Sequence, residues 1–296
     1  MSPSTEECAW QSEDWRLVCA PADGARLSRL AWRGRDLLTA APRAFRPPDR
    51  DLGRYETRPV FGYDDCFPTV DPCDYPGRSW TVPDHGECCW LPWEVETRPD
   101  GLCCTVASRA LPVTFERRLI CGPDTLDWRF RLVNQGAAPL PFLHVMHALM
   151  PPGEIEQLEL PDAAALWDEI AGAPAAAPPQ GAAVARALLT APGGAVHMWI
   201  LRTVTAGRVT LKLRDGLTLT LTFPADLFPT LGIWWNRRGY PEADDRARDE
   251  CAFEPLAAPT SSLAAAHAVG QAPVVPPGGE QTWRIHWNLN KQPPTR

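Results

Sequence analysis

The sequence predicts an all-β protein, a large antiparallel sandwich, on three observations. Several segments alternate apolar and polar residues with period two, the pattern of strands with one buried face. The 33 prolines among 296 residues count against a helix-dominated chain. Gly, Pro and Asp punctuate the alternating segments at short intervals, as a sandwich built of many short strands requires. At roughly 100–200 residues per domain the length would suggest two domains, but a large all-β unit can run to about 250 residues or more. One domain over residues 1–296 is therefore expected.

Taken along the chain, segments 15–19 and 27–32 read as the first strands, followed by 93–97, 102–108 and 113–121. In segment 125–134, Leu126, Trp128, Phe130 and Leu132 share one face, while Asp127, Arg129 and Arg131 share the other. Residues 171–187 are low in complexity and too rich in Ala, Pro and Gly to pack, so they read as an exposed connection. Val209, Leu211 and Leu213 alternate up to Arg214-Asp215-Gly216, after which Leu217, Leu219, Leu221 and Phe223 resume the pattern. That is a hairpin with an Asp-Gly turn to match. The polar stretch 237–253 reads as a surface loop of the kind that can cover a site. Trp283, Ile285, Trp287 and Leu289 form the last strand, and no long amphipathic helix is evident.

Lys and Arg total 29 against 36 Asp and Glu, a net charge of −7. No basic face is available for a phosphate backbone, so nucleic acid is excluded as a partner. No stretch approaches the ~18 consecutive apolar residues of a membrane span, and the first residues are acidic and lack an export signal, so a cytoplasmic location is expected. The ten cysteines then read as reduced thiols, mostly small buried hydrophobes. His85-x-x-Cys88 with Cys66 and Cys73 lacks the paired spacing of zinc sites, and no metal is expected.

Four stretches couple aromatic rings to carboxylates or imidazoles: 58–70, 83–95, 133–150 and 231–263. Ring faces stack on the C–H faces of sugars, while carboxylates and Arg match their hydroxyls. A carbohydrate site is the first expectation from the residues themselves.

The same blocks carry a resemblance to the aldose 1-epimerase (galactose mutarotase-like) superfamily. Its most specific parts are Asn-x-Gly-x-x-x-Leu-Pro-Phe from Asn134 to Phe142 leading to His147, the block 231–241, Phe253-Glu254-Pro255 followed by Ser262-Leu263, and the turn PPGGEQTW at 276–283. The blocks 62–70 and 84–87 resemble a subgroup's form of the early site loops. The resemblance implies a β-supersandwich and the interconversion of the α and β anomers of a free aldose, by general acid and base, without metal or organic cofactor. It also implies a small sugar as the partner, with the protein acting as a monomer or homodimer.

Residue by residue, Glu254 matches the family's base. Flanked by Phe253 and Pro255 it is poorly solvated, which raises a carboxyl pKa, although a structural carboxylate at a strand end is the bland alternative. His147 matches the general acid. His144 is its rival, but residues three apart in a strand face opposite ways, so one of the two is a core histidine. His85, before the permissive Gly86, matches a histidine that contacts the ring-oxygen region, with a plain loop histidine as the alternative. Arg58 matches a substrate-binding arginine or makes an ion pair with Glu56 or Asp64. Of the adjacent Asp64 and Asp65, which are expected to diverge, Asp65 is placed in the site. Glu87, where better-known members have a small residue, is placed with the sugar contacts, and Trp234 is the stacking ring chosen from Trp90, Trp93, Trp234 and Trp235. The family's further sugar-gripping aspartate is not placed: Asp215 sits in a turn, and Asp226, before Leu227-Phe228-Pro229, is the remaining candidate. A non-catalytic sugar-binding protein and a glycoside hydrolase or lyase remain the competing readings.

Overall fold

The computed structural model describes residues 7–42, 52, 55–241 and 247–291. All strand pairings between named strands are antiparallel, and three larger sheets carry the architecture. The largest has eight strands in the order Ile155–Glu159, Arg208–Leu213, Leu217–Thr222, Glu280–Lys291, Thr125–Asn134, Val113–Cys121, Gly101–Ala107 and Glu94–Arg98. Its register explains the alternation: Leu126 pairs with Trp287, Trp128 with Ile285 and Phe130 with Trp283. Each of these aromatic and aliphatic pairs therefore lies on the same sheet face as its neighbours two residues away. The Asp-Gly hairpin forms as expected, with Val209 opposite Leu221.

A six-stranded sheet packs over that face. It runs Cys8–Gln11, Trp15–Ala20, Arg26–Trp32, Tyr63–Cys66 and Val145–Ala148, with Arg35–Asp36 paired to one side. Tyr63 meets Trp128 across the interface with ring centroids 4.5 Å apart. The core between the sheets is continuous from Trp15 to Leu289. The third sheet has five strands, Ala173–Pro174, Ala163–Asp168, Val196–Val204, Thr230–Arg237 and Asp249–Leu256. It joins the second through Met150 and Cys251, whose backbone N–H groups each donate to the other's carbonyl at 2.8 Å. This junction sets Val145–Ala148 beside Asp249–Leu256.

Two expectations need correction, and one motif gains a structural role. Residues 171–187 are not a plain exposed connection, because Gly181–Leu189 is an α-helix that buries Val184, Ala185 and Leu188. Alanine is the best helix former and three such contacts suffice for one short turn-rich segment, so the composition was misleading. The stretch 237–253 is not all loop. Asp249–Leu256 is a buried strand, residues 242–246 lie outside the described residues, and the polarity reflects charges that are paired at the strand's start. The motif Asn134–Phe142 does structural work: the Asn134 amide donates to the carbonyls of Ala138, Val275 and Pro276, locking the 276–283 turn to the end of the preceding strand.

None of the ten cysteines is in a disulfide. Among the described residues no helix is long and apolar enough to cross a membrane. Residues 1–6, the start of the acidic N-terminal stretch, lie outside the described residues.

Candidate active site

The strand pair Tyr63–Cys66 and Val145–Ala148 sets His147 directly opposite Asp64 and Met146 opposite Asp65. Side chains alternate across a strand, so adjacent aspartates must leave on opposite faces. The Asp64 face looks out into a cavity of about 500 Å³ between the second and third sheets; the Asp65 face looks into the core.

On the cavity face, His147 Nδ1 is 3.0 Å from Asp64 Oδ1 and 3.1 Å from the Tyr55 hydroxyl, which itself donates to Asp64 Oδ2 at 2.9 Å. Arg58 Nη1 donates to Asp64 Oδ2 at 2.7 Å, and Arg26 Nη1 stands 3.6 Å from the same oxygen. Burial alone would raise the Asp64 pKa, but the His147 hydrogen bond and the charges of Arg58 and Arg26 outweigh it and hold the carboxyl well below its usual range. Ionised Asp64 only accepts, so Nδ1 of His147 is the protonated nitrogen and Nε2 is left for the cavity.

Nε2 of His147 points at Glu254, whose Oε1 is 3.9 Å away. Glu254 pairs with Gly232 on the neighbouring strand, where a Cβ would come within 3.3 Å of Glu254 Oε2. The missing side chain thus leaves room for the carboxylate. Burial raises the Glu254 pKa, and the positive charges of His147 and His85 only partly offset this.

His85 is the third group. It has φ +60°, and Gly86 follows at φ +72° with a Cβ position 2.0 Å from the Phe67 carbonyl oxygen, so only glycine fits there. This turn lays the imidazole flat on Tyr55, with centroids 3.7 Å apart, and brings Nδ1 within 2.9 Å of Asp84. Burial lowers the His85 pKa, yet the Asp84 hydrogen bond and charge, with Asp64 and Glu254 behind them, leave it raised overall. The opposite wall is Trp234 edge-on to Tyr240, centroids 5.9 Å apart. Trp234 Nε1 and Arg248 Nε both donate to Glu250 Oε1, at 3.1 and 2.8 Å, which fixes the indole.

Of the residues expected from the sequence, Glu254, His147, His85 and Trp234 line this cavity. Arg58, Asp65 and Glu87 do not. Arg58 is buried behind Asp64, where it makes the ion pair with Asp64 that was its alternative reading and a further bond to Asp23 at 2.6 Å. Asp65 accepts from Arg117, Tyr63 and His144 inside the core, so Asp64 takes the place expected of it. Glu87 accepts from the Ser108 hydroxyl and the Arg109 backbone. Being past the Gly86 turn, it is carried away from the cavity that His85 enters. Tyr55, Asp71, Glu169, Tyr240 and Arg248 also line the cavity and were missed, because each comes from a different loop or strand end with no local motif.

Donor atoms of Cys66, His85 and His147 lie within 4.8 Å of one another, a metal-capable trio. Burial drives the Cys66 thiol well above its ordinary pKa in the metal-free site.

No protein-family model matches the chain, and no curated protein matches it in sequence. Solved structures do. The Slr1438 protein from Synechocystis sp. PCC 6803 superposes with a TM-score of 0.73 at 18% identity, over 99% of this chain and 97% of that one. A galactose mutarotase related enzyme from Lactobacillus acidophilus gives 0.67 at 14%, over 97% and 98%. A galactose mutarotase-like protein from Lactobacillus casei ATCC 334 gives 0.69 at 14%, over 96% and 100%. The fold is that of the galactose mutarotase-like proteins. At these identities the likeness speaks for the fold alone, and the chemistry rests on the residues just described.

Proposed function

We propose that the protein is an aldose 1-epimerase-like enzyme that interconverts the α and β anomers of a free aldose. The observation that supports this best is the pair formed by His147 Nε2 and the Glu254 carboxylate, 3.9 Å apart and both open to one cavity.

Glu254 takes the proton from the anomeric hydroxyl while the His147 imidazolium gives one to the ring oxygen. The C1–O5 bond breaks, leaving an open-chain aldehyde, protonated Glu254 and neutral His147. Rotation about C1–C2 presents the other carbonyl face, the ring closes, and both protons return. A raised carboxyl pKa makes Glu254 a stronger base than an exposed glutamate. Asp64 supports the imidazolium through Nδ1 and acts as a positioning residue, with Arg58 and Tyr55 holding it in turn. His85 reaches the ring-oxygen side, and Trp234 offers a face or edge to the sugar's C–H surface. The chemistry calls for no metal or organic cofactor.

Magnetisation-transfer NMR on a panel of free aldoses tests the reading. Accelerated anomer exchange in at least one sugar, abolished by Glu254→Gln, supports it. A panel with no acceleration, together with sugar binding by calorimetry, would make the protein a carbohydrate-binding module on the same fold.

A further inference from the structure

The cavity is unusually acidic for a site that must hold a sugar. Six carboxylates line it, those of Glu56, Asp71, Asp84, Glu169, Glu250 and Glu254. Among the described residues the one arginine or lysine in the lining is Arg248, and its Nε is already given to Glu250 at 2.8 Å. Arg237 is engaged by Asp249 at 3.0 Å, and neither it nor Arg238 lines the cavity. Among the described lining residues the carboxylates outnumber the arginine and the two imidazoles, His85 and His147, so a phosphorylated or carboxylated sugar would meet a net negative wall.

Two of these acidic residues, Asp71 and Glu169, meet at Ser261. The Ser261 backbone N–H donates to Glu169 Oε1 at 3.2 Å, and the Ser261 carbonyl accepts from Asp71 N at 3.1 Å. Ser261 is 1% exposed, lines the cavity, and its hydroxyl has no hydrogen-bond partner. A buried hydroxyl left without a partner, on the residue whose backbone binds Glu169 and Asp71, calls for an explanation that a bound polar group would supply. Neither Asp71 nor Glu169 makes an ion pair with any described residue that would neutralise it. Burial and the neighbouring charges of Glu169 and Asp84 push the Asp71 carboxyl up to about 6, with His85 opposing. That is the behaviour of an acid set among other acids.

We propose that the sugar accepted at this site is an amino sugar, its ammonium group received by Asp71 and Glu169 with the Ser261 hydroxyl, and that anionic sugars are rejected. This deepens the proposed function and rests on it for the reaction, but not for the binding preference. A charge-assisted hydrogen bond replacing one between neutral groups favours the amino sugar over its hydroxyl parent by roughly 10- to 100-fold.

The test compares glucosamine and galactosamine with glucose, galactose, N-acetylglucosamine, glucose 6-phosphate and glucuronate, by kcat/KM for anomer exchange and by calorimetric Kd. Amino sugars ahead of their parents by about tenfold or more, anions at the bottom, and a ratio that collapses toward one in Glu169→Gln and in Asp71→Asn/Glu169→Gln, are the expected results. An amino-to-parent ratio near one in the unmodified protein, a preference for the phosphate or the uronate, or a ratio unmoved by both variants would overturn the proposal. If no aldose is exchanged at all, the epimerase reading falls, and the Kd series still decides whether the acidic subsite selects an ammonium.

Discussion

The strand pair Tyr63–Cys66 and Val145–Ala148, with the residue just before it, presents two aspartate–histidine pairs on opposite faces, and their difference is instructive. Asp65 and His144 look into the sandwich core, where His144 Nε2 is 3.0 Å from Asp65 and the imidazole is packed against Phe130 and Trp283. Arg117, reaching from the eight-stranded sheet, balances the aspartate, and burial with that guanidinium leaves the His144 pKa lowered although Asp65 pulls the other way. Asp64 and His147 have the same chemistry, but their counter-charges Arg58 and Arg26 stand behind the aspartate and leave one imidazole nitrogen facing Glu254 and open space. One pair is sealed and structural. The other is half-open and can move a proton.

Substitutions on the two faces separate these roles. The largest effects belong to the open pair: Glu254→Gln and His147→Asn each lower anomer exchange by about 10²- to 10⁴-fold, read by magnetisation-transfer NMR. Because the Glu254 pKa is raised, exchange climbs with pH through a value above the ordinary ~4.3 for glutamate, and Glu254→Gln removes that limb. The same shift costs stability as pH rises and the buried carboxyl ionises, so Glu254→Gln unfolds at a higher denaturant concentration at pH 7 than the unmodified protein.

On the sealed face Arg117→Met strands Asp65 in the core and lowers unfolding free energy by about 3–5 kcal/mol, measured by denaturant titration. His144→Asn costs less, about 1–3 kcal/mol, and leaves exchange unchanged, whereas a loss of exchange to match His147→Asn would erase the distinction between the faces. Both aspartates have pKa values below the ordinary ~3.9, so their contribution is complete above that value and drains only as pH falls below it. Acid unfolding monitored by tryptophan fluorescence therefore begins below about pH 4. The smallest effect is Gly232→Ala, whose Cβ comes within 3.3 Å of Glu254 Oε2 and within 3.1 Å of Leu256. It shifts the carboxylate by a few tenths of an ångström and lowers kcat with KM little changed.

The strands were the most legible part of the chain, since alternation such as that from Leu126 to Leu132 reflects a local cause, the side-chain period of an extended backbone. Val113–Cys121 and Thr125–Asn134 coincide with the segments read from the pattern. The helix Gly181–Leu189 escaped because its apolar face is three residues wide and sits in an Ala/Pro tract. Glu254, His147 and His85 were singled out through the resemblance and the residues around them, and all three line the cavity. Asp65 was chosen over Asp64 because nothing local says which of two adjacent carboxylates faces out. For Arg58 the sequence left a ligand contact and an ion pair with Asp64 open, and the ion pair forms because Asp23, supplied from another turn, helps hold Arg58 behind Asp64.

The amino-acid sequence by itself determined the alternating strands, the Asp-Gly hairpin and the types of group available for proton transfer, because period, turn geometry and side-chain chemistry are properties of neighbouring residues. Which aspartate supports the open histidine, which arginines stay behind it, and how six carboxylates converge on one cavity were decided only when three sheets packed. Burial, facing and the balance of charge around a group are set by residues remote in the chain, and no local pattern encodes them.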